Sequence, residues 1–283
     1  MIRVFHACEF QEPTCRGLNK PMIIRGETDA GESQRLFLKS RAGYANRPNA
    51  AGVEMFTTLL ARSLGLKAPE PVVVVIPNGF ERLAREHPVY QDLLRGSFGN
   101  NFGTVALGPD WKTLPVGMGI QLFPRDTVES ILTFDALVQQ DDRDFENPNL
   151  QWNGDQIAIL DHERCFGHLG DASADQYPWR RYLGKRPLRQ HCLRSLVGDV
   201  DASFGKDLRE EWLELEMDGR LPGLLEASCR AFPEATLDLN RIDRYLRRRM
   251  LYPAELRTLN ILGISVFRRK CREINGLRWI RNI

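Results

Sequence analysis

The sequence predicts an α+β fold in which antiparallel strands come first and helices follow. Three observations lead there. Residues 1–40 alternate apolar and polar positions between turn-rich breaks, as strands do. Residues 150–160 carry a short hairpin pattern around Asn153-Gly154, a favoured two-residue turn. Residues 190–283 show apolar stripes at helical spacing. A chain of 283 residues suits one large domain or two lobes sharing a cleft.

In order, the expected strands are Arg3 to Phe10, Met22 to Glu27 and Arg35 to Ser40. In the third, Leu36 and Leu38 face one way while Arg35, Phe37 and Lys39 face the other. A helix follows, with Val53, Phe56, Leu60 and Leu64 on one stripe; Gly65 stops it, and Pro69 and Pro71 seal the stop. Val72 to Ile76 (VVVVI) has the composition of a strand buried on both faces. Residues 78–96 read as helical, interrupted at Pro88, and Ser97 to Gly103 (SFGNNFG) reads as a flexible loop. Thr104 to Leu107 is expected to be a strand leading to a hinge. A further helix is expected from Asp126, its N-cap, through Val128, Ile131, Leu132 and Leu137. Asp135, inside that helix, is read as a satisfied structural carboxylate. After the hairpin come helices marked by Trp212 and Leu215, Leu224 and Leu225, Ile242 and Leu246, and Leu256, Leu259 and Leu262. Gly219 to Pro222 and Phe232-Pro233 break them.

Composition excludes several classes. The hydrophobic content of 42% and charged content of 27% are those of a soluble globular chain. A net charge of +2 gives no field that would imply nucleic acid. No apolar run has membrane-spanning length, and the N-terminus lacks a signal-peptide core. Six scattered cysteines without a CxxC pair argue against a zinc site and a disulfide framework, and for a reducing cytoplasm.

The chemistry concentrates in Val138 to Asp161, VQQDDRDFENPNLQWNGDQIAILD. A carboxylate, Asp141 or Asp142, precedes two carboxamides, Asn147 and Asn149, and the hairpin then ends on Asp161. The step from Asp142 to Asn147 is that of the protein-kinase catalytic loop. There, one carboxylate orients a nucleophilic hydroxyl, while a carboxamide and a second carboxylate hold Mg²⁺ against a triphosphate. Mg²⁺ takes hard oxygen ligands, few of them from protein. The alternative is a polar loop ahead of a hairpin, since Asp and Asn are ordinary turn residues. Lys39, near a strand end, is either a snorkelling surface lysine or a cation aimed at ATP phosphates. Glu54 serves either the helix macrodipole or an ion pair with that lysine. Arg16, Gly17 and Lys20, in the turn between the first two strands, form a basic solvated loop or one able to approach phosphates.

With Lys39, Glu54, Asp142, Asn147 and Asp161 in that order, the chain resembles the HipA-like kinases, most closely the short forms without the N-terminal extension. The likeness covers most of residues 10–170. It rests on NKPMIIR, RLFLKSR, GVEMFTTLLARSLGLKAPEPVVV, FDALVQQDDRDFENPNLQW and IAILDHERC. It implies a two-lobed protein-kinase-like fold. Residues 1–108 would form a small antiparallel-sheet N-lobe with one helix, and residues 109–283 a mainly helical C-lobe. Lys39 would hold ATP phosphates, with Glu54 its partner and the Arg16, Gly17, Lys20 loop nearby. Asp142 would be catalytic; Asn147 and Asp161 would hold Mg²⁺, with Asn149 the alternative carboxamide. His162 would pack behind Asp161. Two departures stand out: Gln140 where the family usually has Asn, and a phosphate loop without a strong glycine pattern.

The function implied is ATP- and Mg²⁺-dependent transfer of the γ-phosphate to a Ser/Thr hydroxyl, of a protein or of the chain itself. Family precedent adds toxin–antitoxin kinases, with a regulatory antitoxin-like partner and autophosphorylation in a loop. Thr14, Thr28, Ser33 and Ser97 lie in expected loops. Two other readings are a nucleotide-binding pseudokinase or regulatory module, and a small-molecule phosphotransferase.

Overall fold

The computed structural model describes residues 1–14, 19–44, 47, 49–114, 123–167, 191–193, 196 and 206–251. Within them the chain is mixed α+β. Strands β1 (Val4–Pro13), β2 (Met22–Glu27) and β3 (Ser33–Lys39) form an antiparallel meander. Helix α1 (Ala50–Ser63) and strand β4 (Pro71–Ile76) follow. A 3-10 turn (Phe80–Ala84) then leads to α2 (Pro88–Arg95), with Pro88 at the helix start, where a missing N–H costs nothing.

The expected small antiparallel sheet is in fact a closed barrel, in the order β1-β2-β3-β5-β4. Closure comes from a parallel pairing of β1 with β4, Val4 opposite Val73 and His6 opposite Val75. The fifth strand, β5 (Gly99–Val105), corrects the expectation of a loop at SFGNNFG; Thr104, expected to begin a separate strand, lies within it. It is a central strand, paired with both β3 and β4. Glycine and asparagine are poor strand formers, but packing overrides propensity here. A Cβ on Gly103 would lie 2.7 Å from Val74 Cγ2, so only glycine fits the barrel wall at that point. Asn101 is buried and satisfied: its amide donates to the Ser97 and Gly99 carbonyls, and its oxygen accepts from the Arg41 N–H.

Strand alternation sorts the barrel residues into two cores. Phe5, Met22, Ile24, Leu36, Leu38, Val72, Val74 and Ile76 fill the interior, closed by Phe80, Ala84 and Leu94. Val73 and Phe102 face outward into a second core with Met55, Phe56 and Leu60 of α1. Strand β4 is therefore buried on both faces, as its VVVVI composition implies. Leu38 points inward, so Lys39 points out, toward α1.

The second half begins with β6 (Lys112–Thr113) and α3 (Arg125–Val138). The expected N-cap, Asp126, lies instead in the first turn; Pro124 precedes the helix, and its carbonyl accepts from Thr127 and Val128. Strands β7 (Leu150–Trp152) and β8 (Ile157–Ile159) form the hairpin, with β6 on the far side of β7. Asn153 Oδ1 accepts from the Asp155 and Gln156 amides and fixes the turn. The hairpin also reaches back to the first half: Ile159 N–H donates to the Lys67 carbonyl at 2.9 Å. Helices α4 (Lys206–Met217), α5 (Arg220–Ala231) and α6 (Thr236–Leu251) complete the described chain. Gly219, at φ 66°, makes the break between α4 and α5, while Pro222 sits inside α5. The expected stripe at Leu256, Leu259 and Leu262 lies outside the described residues. No described helix is long and apolar enough to cross a membrane.

Helix α1 crosses the chain turn that follows α5 at Gly52, whose hypothetical Cβ would overlap Ala235 Cβ and lie 3.2 Å from Phe232 Cβ. Alanine is normally better than glycine inside a helix by about 0.5–1 kcal/mol. Overpacking costs about 1–3 kcal/mol and decides the sign here. We expect Gly52→Ala to lower stability by about 1–2 kcal/mol in chemical denaturation; a stabilised variant would show that this contact yields freely.

Candidate active site

Three elements distant in sequence bring their charges to one point. Lys39, at the end of β3, is 5% exposed, and Glu54, one turn into α1, is 2% exposed. Lys39 Nζ lies 2.7 Å from Glu54 Oε1 and 2.7 Å from Asp161 Oδ1, two residues beyond β8. A third carboxylate, Glu163, approaches the same nitrogen at 3.2 Å. Burial alone would lower the Lys39 pKa, but the Asp161, Glu54 and Glu163 carboxylates outweigh it and hold it well above its ordinary value. Burial would raise Asp161; the Lys39 ammonium overrides it and keeps the carboxyl below its usual range. Burial dominates at Glu54, pushed up to about 7 despite Lys39. The Tyr44 hydroxyl, kept protonated by burial, donates to Glu54 Oε2 at 2.7 Å and helps hold it.

Asp161 occupies the left-handed region, φ 56°, an uncommon conformation for a residue with a side chain. Its backbone carbonyl accepts from Gln140 Nε2 at 2.8 Å. Gln140 thus anchors the aspartate's backbone. His162 fixes the other side. Thr58 Oγ1 gives its one hydrogen to the Glu54 carbonyl at 2.7 Å. His162 Nδ1, 3.1 Å from Thr58 Oγ1, must therefore be the donor in that contact. Burial pushes His162 down to about 3, so the ring is neutral. It links α1 to the strand end.

Asp142 stands beside Asp161. Burial, then the neighbouring Asp161 charge, push its carboxyl up to about 7. Its Oδ1 is buried without a hydrogen-bond partner, while Arg164 lies 3.8 Å from Oδ2 and 3.2 Å from Asp141. The loop that carries Asp142 is fixed by Arg143, which sequence reasoning passed over. Its guanidinium is fully buried, with Nε 2.7 Å from Asp135 Oδ2 and Nη1 2.5 Å from the Asn149 carbonyl. Asp135 also accepts from His191 Nε2 at 2.8 Å. Burial would raise Asp135, and Arg143 and His191 hold it below its ordinary range, as befits a structural carboxylate.

The other expected residues are placed less tightly. Asn147 is exposed, its Nδ2 3.5 Å from the Asp142 carbonyl. Asn149 has φ 47° and a buried Nδ2 without a partner. Lys20 is exposed, and Arg16 and Gly17 lie outside the described residues. The loop instead meets the site through Asn19, whose Nδ2 donates to Glu163 Oε2. Neither Asn19 nor Glu163 carries a local sequence signal, because their pairing spans 144 residues.

Glu54, Asp161 and Glu163 offer carboxylate oxygens within 4.8 Å of one another. Such hard oxygen donors fit Mg²⁺ better than a softer metal. A buried lysine held by a helix glutamate, with two further acidic residues on the same ammonium, fits the arrangement of a phosphotransferase. The model of the HipA-like kinase family matches residues 8–177, and the chain belongs to that family. Among solved structures, a proinflammatory kinase of Helicobacter pylori, CtkA, matches at 14% identity with a TM-score of 0.47, over 88% of this chain and 98% of that one. No curated protein matches.

Proposed function

We propose that the chain is an ATP- and Mg²⁺-dependent kinase that transfers the γ-phosphate to a Ser/Thr hydroxyl, of a protein or of itself. The carrying observation is the 2.7 Å approach of Lys39 Nζ to Asp161 Oδ1 across 122 residues of sequence, with Glu54 on the same nitrogen. In this reading residues 1–108 and 109–283 are two lobes of a protein-kinase-like fold, and the nucleotide lies between them. Lys39 binds the phosphates and Glu54 orients it. Asp161 and Asn147 would hold the metal, with Asn149 the alternative carboxamide. A divalent ion there supplies charge neutralisation on the phosphates. Asp142 accepts a hydrogen bond from the acceptor hydroxyl and takes its proton late. Positioning and electrostatics then lower the barrier together. Retention of Lys39, Asp142 and Asp161 in this geometry argues against a pseudokinase.

Incubation with labelled ATP and Mg²⁺ followed by mass spectrometry tests the reading. Phosphate on a Ser/Thr of the chain or of an added protein, absent with EDTA, is the expected result; no nucleotide turnover with any acceptor sinks it. Among the expected self-modification sites, Ser97 is excluded from the folded form. It is buried, donates to the Leu93 carbonyl and accepts from Ala42 N–H. Ser33 begins β3 rather than lying in a loop, and Thr28 sits in the turn before it.

The pH profile follows from Asp142. An aspartate raised to about 7 is protonated below that value and cannot take the hydroxyl's proton. We expect kcat/KM, which reports the free enzyme, to rise with pH through about 7 and then level. A flat profile from about pH 5.5 to 8.5 would contradict this role.

A further inference from the structure

Lys39 has more carboxylates around it than one ammonium balances. Glu54 is sealed beneath, its side chain 3% exposed, while Asp161 at 30% and Glu163 at 14% lie on the open side. In the proposed function Glu54 orients the lysine and Asp161 faces the metal, but Glu163 has no assigned task. Its contact with Lys39 is the longest of the three, and the same oxygen, Oε2, also accepts from Asn19 Nδ2. Glu163 thus bridges the phosphate-binding ammonium and the turn between β1 and β2. Those two donors, an ammonium and a carboxamide N–H, are what a phosphate oxygen would seek.

We propose that Glu163 is a gating counter-ion: in the resting site it occupies the position of nucleotide phosphate on Lys39 and Asn19, and so makes nucleotide binding depend on a divalent cation. This rests on the kinase reading and deepens it. A metal-free nucleoside polyphosphate must displace Glu163 and then sit beside two uncompensated carboxylates, Asp161 and the released Glu163. Like charges at such range in a partly buried site repel strongly. Asp161 and the released Glu163 could both hold a divalent cation that arrives with the nucleotide, which would neutralise their charge and make the displacement favourable. Glu163 is therefore a positioning and specificity residue and touches no reacting atom.

The test is equilibrium binding of ADP to the full chain by calorimetry, with Mg²⁺ or with EDTA, for wild type, Glu163→Gln and Asn19→Ala. Coupling between two ligands typically amounts to roughly 5–150-fold. Wild type should bind ADP in that range more tightly with Mg²⁺. Glu163→Gln keeps the side-chain shape and removes the charge. Its metal-free affinity should tighten several-fold, and the coupling should shrink toward one. Asn19→Ala, which frees Glu163 without changing charge, should shift metal-free affinity less. Glu226→Gln, an exposed change on α5, should behave as wild type, and thermal melts establish that each variant is folded. Glu163→Gln with unchanged or weaker metal-free binding overturns the gate while leaving the kinase reading intact. A wild type that binds no ADP in either arm overturns both. If Glu163→Gln fails to fold, Glu163→Ala, which also removes the charge, decides: tighter metal-free binding supports the gate, and unchanged or weaker binding rejects it.

Discussion

Asp142→Asn should remove phosphoryl transfer while leaving a folded chain that is more stable than wild type at alkaline pH. The catalytic loss follows from the missing proton acceptor, and general-base contributions run to roughly 10²–10⁴-fold. Nucleotide affinity should change little if, as proposed, Asp142 faces the acceptor hydroxyl. The gain in stability follows from linkage. The folded protein raises Asp142 to about 7, from the 3.8 of a free aspartate. Between those values the folded state holds a proton that the unfolded state has lost, so stability falls as pH rises through the window. Above about 7 the charged, mostly buried carboxylate costs the fold on the order of a few kcal/mol. A neutral asparagine avoids that cost. Asp161→Asn should behave differently, losing Mg²⁺-dependent nucleotide binding along with turnover. Melting curves at pH 6 and 8 beside steady-state rates separate the two variants. An Asp142→Asn protein that turns over normally, or melts lower than wild type at pH 8, would refute the assignment.

Arg143→Met should produce the largest loss of stability of any single change at the site. It strands Asp135, fully buried, with only His191 as partner. It also removes a donor from the Asn149 carbonyl and weaker ones from Pro148 and Leu160. Breaking a buried ion pair from one side costs about 3–5 kcal/mol, which for a chain of this size lowers Tm on the order of 10 °C. Replacing both partners with apolar residues is far cheaper than the sum of the single losses. A double-mutant cycle with Asp135→Leu should therefore show strong positive coupling. A loss below about 1 kcal/mol for Arg143→Met would show that solvent reaches this cluster after all.

The parts of the site that sequence revealed are those with a local pattern. Alternation in RLFLKS placed Leu36 and Leu38 on one face and so sent Lys39 to the other. The helix stripe through Val53 and Phe56 carried Glu54, and the Asn153-Gly154 turn set the hairpin that ends near Asp161. What stayed hidden is tertiary. Strand β5 hides because Gly103 is dictated by Val74 on a neighbouring strand. His191 meets Asp135 across 56 residues, and Glu163 meets Asn19 across 144; no window of sequence spans either. The barrel escaped notice because its closing pair, β1 with β4, is parallel and lies across α1. Arg143 looked like one more polar loop residue, and only its burial reveals what it holds.

One backbone bond, from Ile159 N–H to the Lys67 carbonyl, fastens the hairpin to the first half beside the ion-pair cluster. It joins the strand that ends near Asp161 to the segment just after the helix that bears Glu54. Lys39 to Asp161 and His162 to Thr58 tie the same two stretches together nearby, so an opening that spares these links must hinge close to the ion pairs. If Glu163 leaves Lys39 when nucleotide binds, that exchange would be one of side chains over a backbone held in place, with Glu54 and Asp161 still on either side of the ammonium.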